Sequence, residues 1–134
     1  MDDARIAITG LGTISSAGVG IDENWETLLT GRSTVTGITV FEPGRFPCTI
    51  AAQLDDFSAR NFVPKQYRKS VKIMARDIEI AVAVSDMAFR DSGITTRGTG
   101  EEMDIDPKRL GCNIAAGLIC ADLNELGEAF MTSL

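Results

Sequence analysis

Short β-rich runs and longer helix-spaced apolar stripes take turns along this chain, and that alternation predicts its elements. Arg5 to Thr9 (RIAIT) is a β-rich run closed by the glycines of Gly10-Leu11-Gly12, so it predicts a first strand entering a tight loop that continues through TISSAGVG. Asp22 is placed to cap a helix carrying Trp25, Leu28 and Leu29 at i, i+3, i+4 spacing, with Gly31 at its C′ position. From Gly31 to Pro47 single apolar residues sit among Gly, Thr and Pro, which predicts an irregular connection or a small β excursion. Cys48 to Leu54 then reads as a second strand, an edge one because Pro47 precedes it.

The strongest periodic segment runs from about Tyr67 to Asp91. Val71, Met74, Ile78, Ala81, Ala88 and Phe89 mark one helical stripe, while Ile73, Ile80, Val82, Val84 and Met87 put apolar groups on other faces. The spacing predicts a long helix buried on more than one side. Asp91-Ser92-Gly93 closes it, with Arg90 in the last turn near the negative end of the helix dipole. Thr95 to Pro107 reads as a solvated loop, RLGCNIA as a further strand with Cys112 a small buried hydrophobe in it, and a last helix starts near Ala121 or Asp122 and carries Leu123, Leu126 and Phe130. Strands alternating with helices predict an α/β fold with a largely parallel sheet.

Composition narrows the function. The 134 residues carry a net charge of −6, which argues against a broad nucleic-acid or anionic-membrane surface. No run approaches the roughly 20 apolar residues that span a bilayer, and the acidic Met1-Asp2-Asp3 start lacks the basic region of a secretory signal, so a cytoplasmic protein is the expectation. Three cysteines, Cys48, Cys112 and Cys120, with no C-x-x-C pair make neither a disulfide framework nor a zinc site. Zero histidines remove the commonest general base and the usual activator of a Ser or Cys nucleophile, so no Ser-His or Cys-His machinery can be assembled from these residues.

Two motifs remain. Gly10 to Ser15 (GLGTIS) begins like a dinucleotide fingerprint, but Ser15 stands where the third glycine belongs, and a structural turn is the favoured reading. Lys65, Arg68, Lys69, Lys72 and Arg76 place five cations in twelve residues of an acidic chain. Such a run is usually a solvated helix face; its density here also fits docking of an acidic partner. The pairs Asp55-Asp56 and Glu101-Glu102 read as solvated loop carboxylates.

Taken in order, RIAITGLGTISSAGVGIDENWETLLTGRS, YRKSVKIMARDIEIAVAVSDMAFRDSGI and IDPKRLGCNIAAGLICAD resemble the opening strand and glycine turn, the long buried helix and the following strand of a β-ketoacyl-[acyl carrier protein] synthase. The resemblance implies the N-terminal portion of a thiolase-like layered αβαβα fold, with residues 1–134 one segment of an incomplete domain. It implies an acyltransferase that performs decarboxylative Claisen condensation of acyl and malonyl thioesters in fatty-acid or polyketide synthesis, with no metal or redox cofactor. The family's nucleophilic cysteine and its two histidines lie beyond the position matched by Leu134, so the segment supplies no catalytic residue and is expected to be inactive alone.

By the same carry-over Leu118 faces the acyl channel, with Ile119-Cys120 standing where the family often has Gly-Gly, and Lys65, Arg68 and Lys69 receive the acidic acyl carrier protein. The implied partners are that carrier and the rest of the synthase or a second ketosynthase-type subunit, in a homodimer or heterodimer. Two other readings stand beside it: a non-catalytic ketosynthase-like module that docks carrier protein, and a small nucleotide-binding α/β domain using Gly10-Leu11-Gly12. Apolar faces that need cover on several sides predict that the isolated segment aggregates or folds poorly.

Overall fold

The computed structural model describes residues 5–98, 102–117 and 122–133. Its strands form two small antiparallel ribbons rather than the expected parallel sheet. β1 (Ile14–Ser15) pairs with β2 (Gly18–Val19), and β3 (Val35–Gly37) pairs with β4 (Ile50–Ala52) through Val35↔Ala52 and Gly37↔Ile50. β4 falls inside the predicted Cys48–Leu54 run, and its partner is the excursion that Gly31 to Pro47 allowed.

The first helix, α1 (Ile21–Leu29), forms where the i, i+3, i+4 spacing placed it, but Gly20 is its N-cap in place of Asp22. Glycine brings no side chain, so neighbours hold the helix start: Glu23 Oε2 accepts from the Val19 N–H at 2.8 Å, and Asn24 Nδ2 donates to the carbonyls of Gly18 and Gly20. Thr27 is buried and donates to Ala17 O, tying α1 back to the β1–β2 turn.

The long helix is shorter than its apolar stripe. α2 spans Arg76–Ser92, while Lys65–Tyr67 and Ser70–Ile73 are 3₁₀ turns, and extended backbone at Met74 and Ala75 breaks the run before α2 begins. Its end is as expected, with Gly93 left-handed at φ 71° and Arg90 in the last turn. Arg90 Nε donates to Asp86 Oδ2 at 2.7 Å, and that hydrogen bond with the Asp86 charge raises the already high Arg90 pKa. Burial of α2 on several sides is not observed: Ala83 is its buried residue, most others are half-buried, and Ile78 is exposed.

Arg5 to Thr9 and Arg109 to Ala115 are not strands. Apart from Arg109, which closes a short 3₁₀ turn, they run without regular structure, and Ile6 and Ile8 are 97% and 83% exposed. Cys112 is correspondingly exposed instead of buried, because no ladder partner among the described residues covers its segment. Leu118 and Cys120 lie outside the described residues. α3 (Leu123–Thr132) starts as expected, with Asp122 as N-cap accepting from the N–H groups of Asn124 and Glu125 at 2.9 and 3.1 Å.

A small core joins these pieces. Phe57, Ala59, Val71 and Ala83 are buried, with Ile14, Leu54, Phe62 and Ile80 packed around them. The accessible surface is 11264 Å², against about 6,800 Å² for a compact monomer of this mass. The difference is apolar as well as polar, since Trp25, Leu28, Leu29, Phe46 and Phe130 are all more than half exposed.

Candidate functional site

The glycine turn and the cation run have opposite fates in the structure. Gly10 and Gly12 lie directly on α2: a Cβ on Gly10 would meet Ala88 O, Ser92 N and Ser92 Cβ, and one on Gly12 would meet Val84 O and Met87 Cβ. Between them, the Leu11 N–H donates to Asp91 Oδ2 at 2.8 Å. The glycines therefore serve close backbone–helix approach, with a carboxylate of α2 already occupying the intervening N–H. A phosphate would have to displace that like-charged group, so the structural-turn reading holds here.

The cations at residues 65–72 are presented to solvent. Lys65, Arg68, Lys69 and Lys72 are all exposed, and the ion pairs among the described residues, Arg76–Glu79 and Arg90–Asp86, take none of them. Val71, 4% exposed, anchors the second 3₁₀ turn in the core beside Phe57 and Ala83, so the charged side chains stand on a fixed backbone. No acidic residue occurs from Pro64 to Arg76.

Arg76 does not belong with them. Its Nη1 donates to Phe57 O and its Nη2 to Leu54 O, both at 2.9 Å, and the guanidinium sits 4.8 Å from the centroid of the Phe57 ring. Glu79 completes the arrangement, 3.5 Å from Arg76 Nη1 and accepting from the Ala59 N–H. This cluster clamps the segment from Leu54 to Ala59 onto the first turn of α2. Sequence reasoning grouped Arg76 with the surface cations by spacing alone; the aromatic and backbone partners 19 and 22 residues upstream leave no local signal.

Beside the cations, Val40, Phe41, Ile73 and Leu126 line a cleft of 850 Å³ that also takes in Lys72, Arg76, Glu79, Asp122 and Glu125. Among the described residues its lining holds no Cys, Ser or His. Among the described residues no group of three or more His, Cys, Asp or Glu is placed to hold a metal ion. No helix among them is long and apolar enough to cross a membrane. The acidic residues Asp55, Asp56 and Glu102 are exposed, in keeping with solvated loop carboxylates.

The described residues thus form a mixed helix–strand segment with a glycine turn seated on α2 and a cation-bearing surface turn. Comparison with known proteins gives its family: residues 3–126 match the β-ketoacyl synthase N-terminal domain, and the chain belongs to that family. It is 31% identical over 118 residues to 3-oxoacyl-[acyl-carrier-protein] synthase 2 of Coxiella burnetii, covering 88% of this chain and 26% of the relative. To the synthase of the same name in Vibrio harveyi it is 28% identical over 129 residues, 96% of this chain and 29% of the relative. Among solved structures it is similar to the ishigamide ketosynthase/chain length factor, with a TM-score of 0.54 and 34% identity over 66% of this chain and 21% of that one. The chain thus spans about a quarter of the length of the curated relatives it matches.

Proposed function

We propose that this chain is the N-terminal segment of a β-ketoacyl-[acyl carrier protein] synthase, an acyltransferase, and that it contributes scaffold, carrier docking and part of the acyl channel rather than the reacting groups. The match of residues 3–126 to the family's N-terminal domain carries this reading. In the complete assembly an acyl group passes from the carrier thioester to a cysteine outside these residues. Malonyl carrier then loses CO₂, and the resulting carbanion attacks the acyl thioester, forming the carbon–carbon bond and releasing the cysteine thiolate. Histidines outside these residues and backbone N–H groups stabilise the negative charge that develops.

The segment's surface supports an assembled state. An accessible area of 11264 Å², with Ile6 and Ile8 exposed on a segment that has no ladder partner among the described residues, fits the first strand of a larger thiolase-like layered sheet completed by other residues. The exposed Lys65, Arg68 and Lys69 suit the acidic acyl carrier protein. Leu118 is assigned to the acyl channel by family position, with Ile119-Cys120 adding bulk beside it. The assembly is a cytoplasmic homodimer or a heterodimer with a second ketosynthase-type subunit, and the reaction needs no metal or redox cofactor.

A second reading makes the segment part of a non-catalytic ketosynthase-like partner that docks carrier protein. The likeness to a ketosynthase/chain length factor favours keeping it. Intact mass spectrometry with a denaturing gel of the purified material tests the first reading. A second polypeptide, or a mass well above 14.4 kDa, together with condensation of acyl and malonyl carrier substrates, is the expected result. A single inactive species at 14.4 kDa would leave only the binding reading.

A further inference from the structure

Ser70 stands apart from the other serines of the chain. Each of the others has its hydroxyl in a hydrogen bond within the fold, as Ser85 does in donating to Ala81 O and Ser58 in accepting from the Arg60 N–H. Ser70 is exposed, and its Oγ has no hydrogen-bond partner among the described residues. It opens the 3₁₀ turn Ser70–Ile73, whose next residue, Val71, is buried in the core. A free hydroxyl is thus presented to solvent from a fixed backbone. Its neighbours in the chain are cations: Arg68 lies two residues before it, Lys69 one before and Lys72 two after, all exposed. The ion pairs among the described residues take none of them, and no acid occurs from Pro64 to Arg76. An enzyme whose substrate groove is acidic would recognise an accessible serine flanked in this way by charge complementarity.

We propose that Ser70 is a phosphorylation site for an ATP-dependent serine kinase with an acidic substrate groove, and that phosphate there works as a charge switch on the cationic turn. In the transfer, Ser70 Oγ attacks the γ-phosphorus of ATP. The new O–P bond replaces the bond to the oxygen bridging the β-phosphate, ADP leaves with that electron pair, and the hydroxyl proton passes to the kinase's base. Phosphoserine carries about −1.5 to −2 charges at pH 7, so it offsets about half the charge of the four cations Lys65, Arg68, Lys69 and Lys72. It does so without breaking an existing ion pair, since these cations are in none among the described residues. The switch rests on the carrier-docking reading above; the assignment of Ser70 as phosphate acceptor does not.

The test incubates the assembled synthase with ATP labelled at the γ-phosphate and soluble extract of its own cells, then maps the label by peptide mass spectrometry. Label on the peptide holding Ser70, lost in Ser70→Ala, is the expected result. The unfolding midpoint of Ser70→Ala should hold within about 1 °C, because the hydroxyl makes no bond to lose. A Ser70 peptide without label, or label unchanged in Ser70→Ala, would overturn the site. The switch is read as affinity of the assembled synthase for holo acyl carrier protein. Ser70→Glu is expected to weaken binding about 3- to 10-fold at low salt, with the deficit shrinking as salt screens it. Unchanged affinity for Ser70→Glu, while Lys65→Glu, Arg68→Glu and Lys69→Glu together weaken binding, would overturn the switch and leave the docking reading standing. Unchanged affinity for that triple variant as well would remove the docking reading and the switch with it, and the mapped label alone would then decide the site.

Discussion

Replacing Gly12 with alanine tests whether the glycine turn is built for contact with α2. The new Cβ would lie 3.0 Å from Met87 Cβ, 3.1 Å from Ala88 N and closer still to Val84 O, against the 3.5–4.0 Å at which carbon atoms attract. Two of these neighbours are backbone of a 17-residue helix and cannot rotate away, so the turn itself must move. Overpacking of this kind costs about 1–3 kcal/mol. Displacing the turn also lengthens the bond from the Leu11 N–H to the Asp91 carboxylate, a charged hydrogen bond contributing about 1.5–3 kcal/mol where it is well formed. Because that site is exposed, about 2–4 kcal/mol in total is the reasonable expectation. In the assembled protein this should lower the unfolding midpoint by several degrees, read by differential scanning fluorimetry and checked by urea unfolding. Gly37→Ala is the control, because nothing lies within 4 Å of a Cβ there, and its midpoint should hold within about 1 °C. Equal midpoints for Gly12→Ala and Gly37→Ala would refute the close-contact argument and reopen a ligand role for the turn.

Further outcomes follow from the same geometry. Asp91→Ala removes the acceptor of the Leu11 N–H while leaving both glycines in place, so it should destabilise by less than Gly12→Ala and raise amide exchange at Leu11, measured by hydrogen–deuterium exchange. Asp122→Ala deletes the cap that satisfies two N–H groups of α3 and should cost about 1 kcal/mol, seen as faster exchange at Asn124 and Glu125 with a smaller increase farther along the helix. Arg76→Lys keeps the charge but loses the fork that reaches two carbonyls and the face of Phe57, so it should lower the midpoint nearly as much as Arg76→Gln; full retention would show that charge alone suffices. Leu118→Ala should shift the condensation products of the assembled synthase towards longer acyl chains, and an unchanged product distribution would remove Leu118 from the channel.

The sequence alone determined the local features. Helix-spaced apolar residues with Gly31 and Gly93 behind them specify α1 and the end of α2, Asp122 specifies the start of α3, and the order of its motifs specifies the family, because these signals act over a few residues. What only the tertiary structure decided are matters of long-range contact. Gly10 and Gly12 are glycines because α2, some 75 residues away in the chain, leaves no room for a Cβ. The α2 start is set at Arg76 because its guanidinium bonds to the carbonyls of Leu54 and Phe57, which favours a break at Met74–Ala75 over a continuous helix through the cations. The two apolar runs expected as strands, Arg5 to Thr9 and Arg109 to Ala115, have β-rich composition yet pair with nothing among the described residues, since a strand is completed by its neighbour's hydrogen bonds and not by its own side chains.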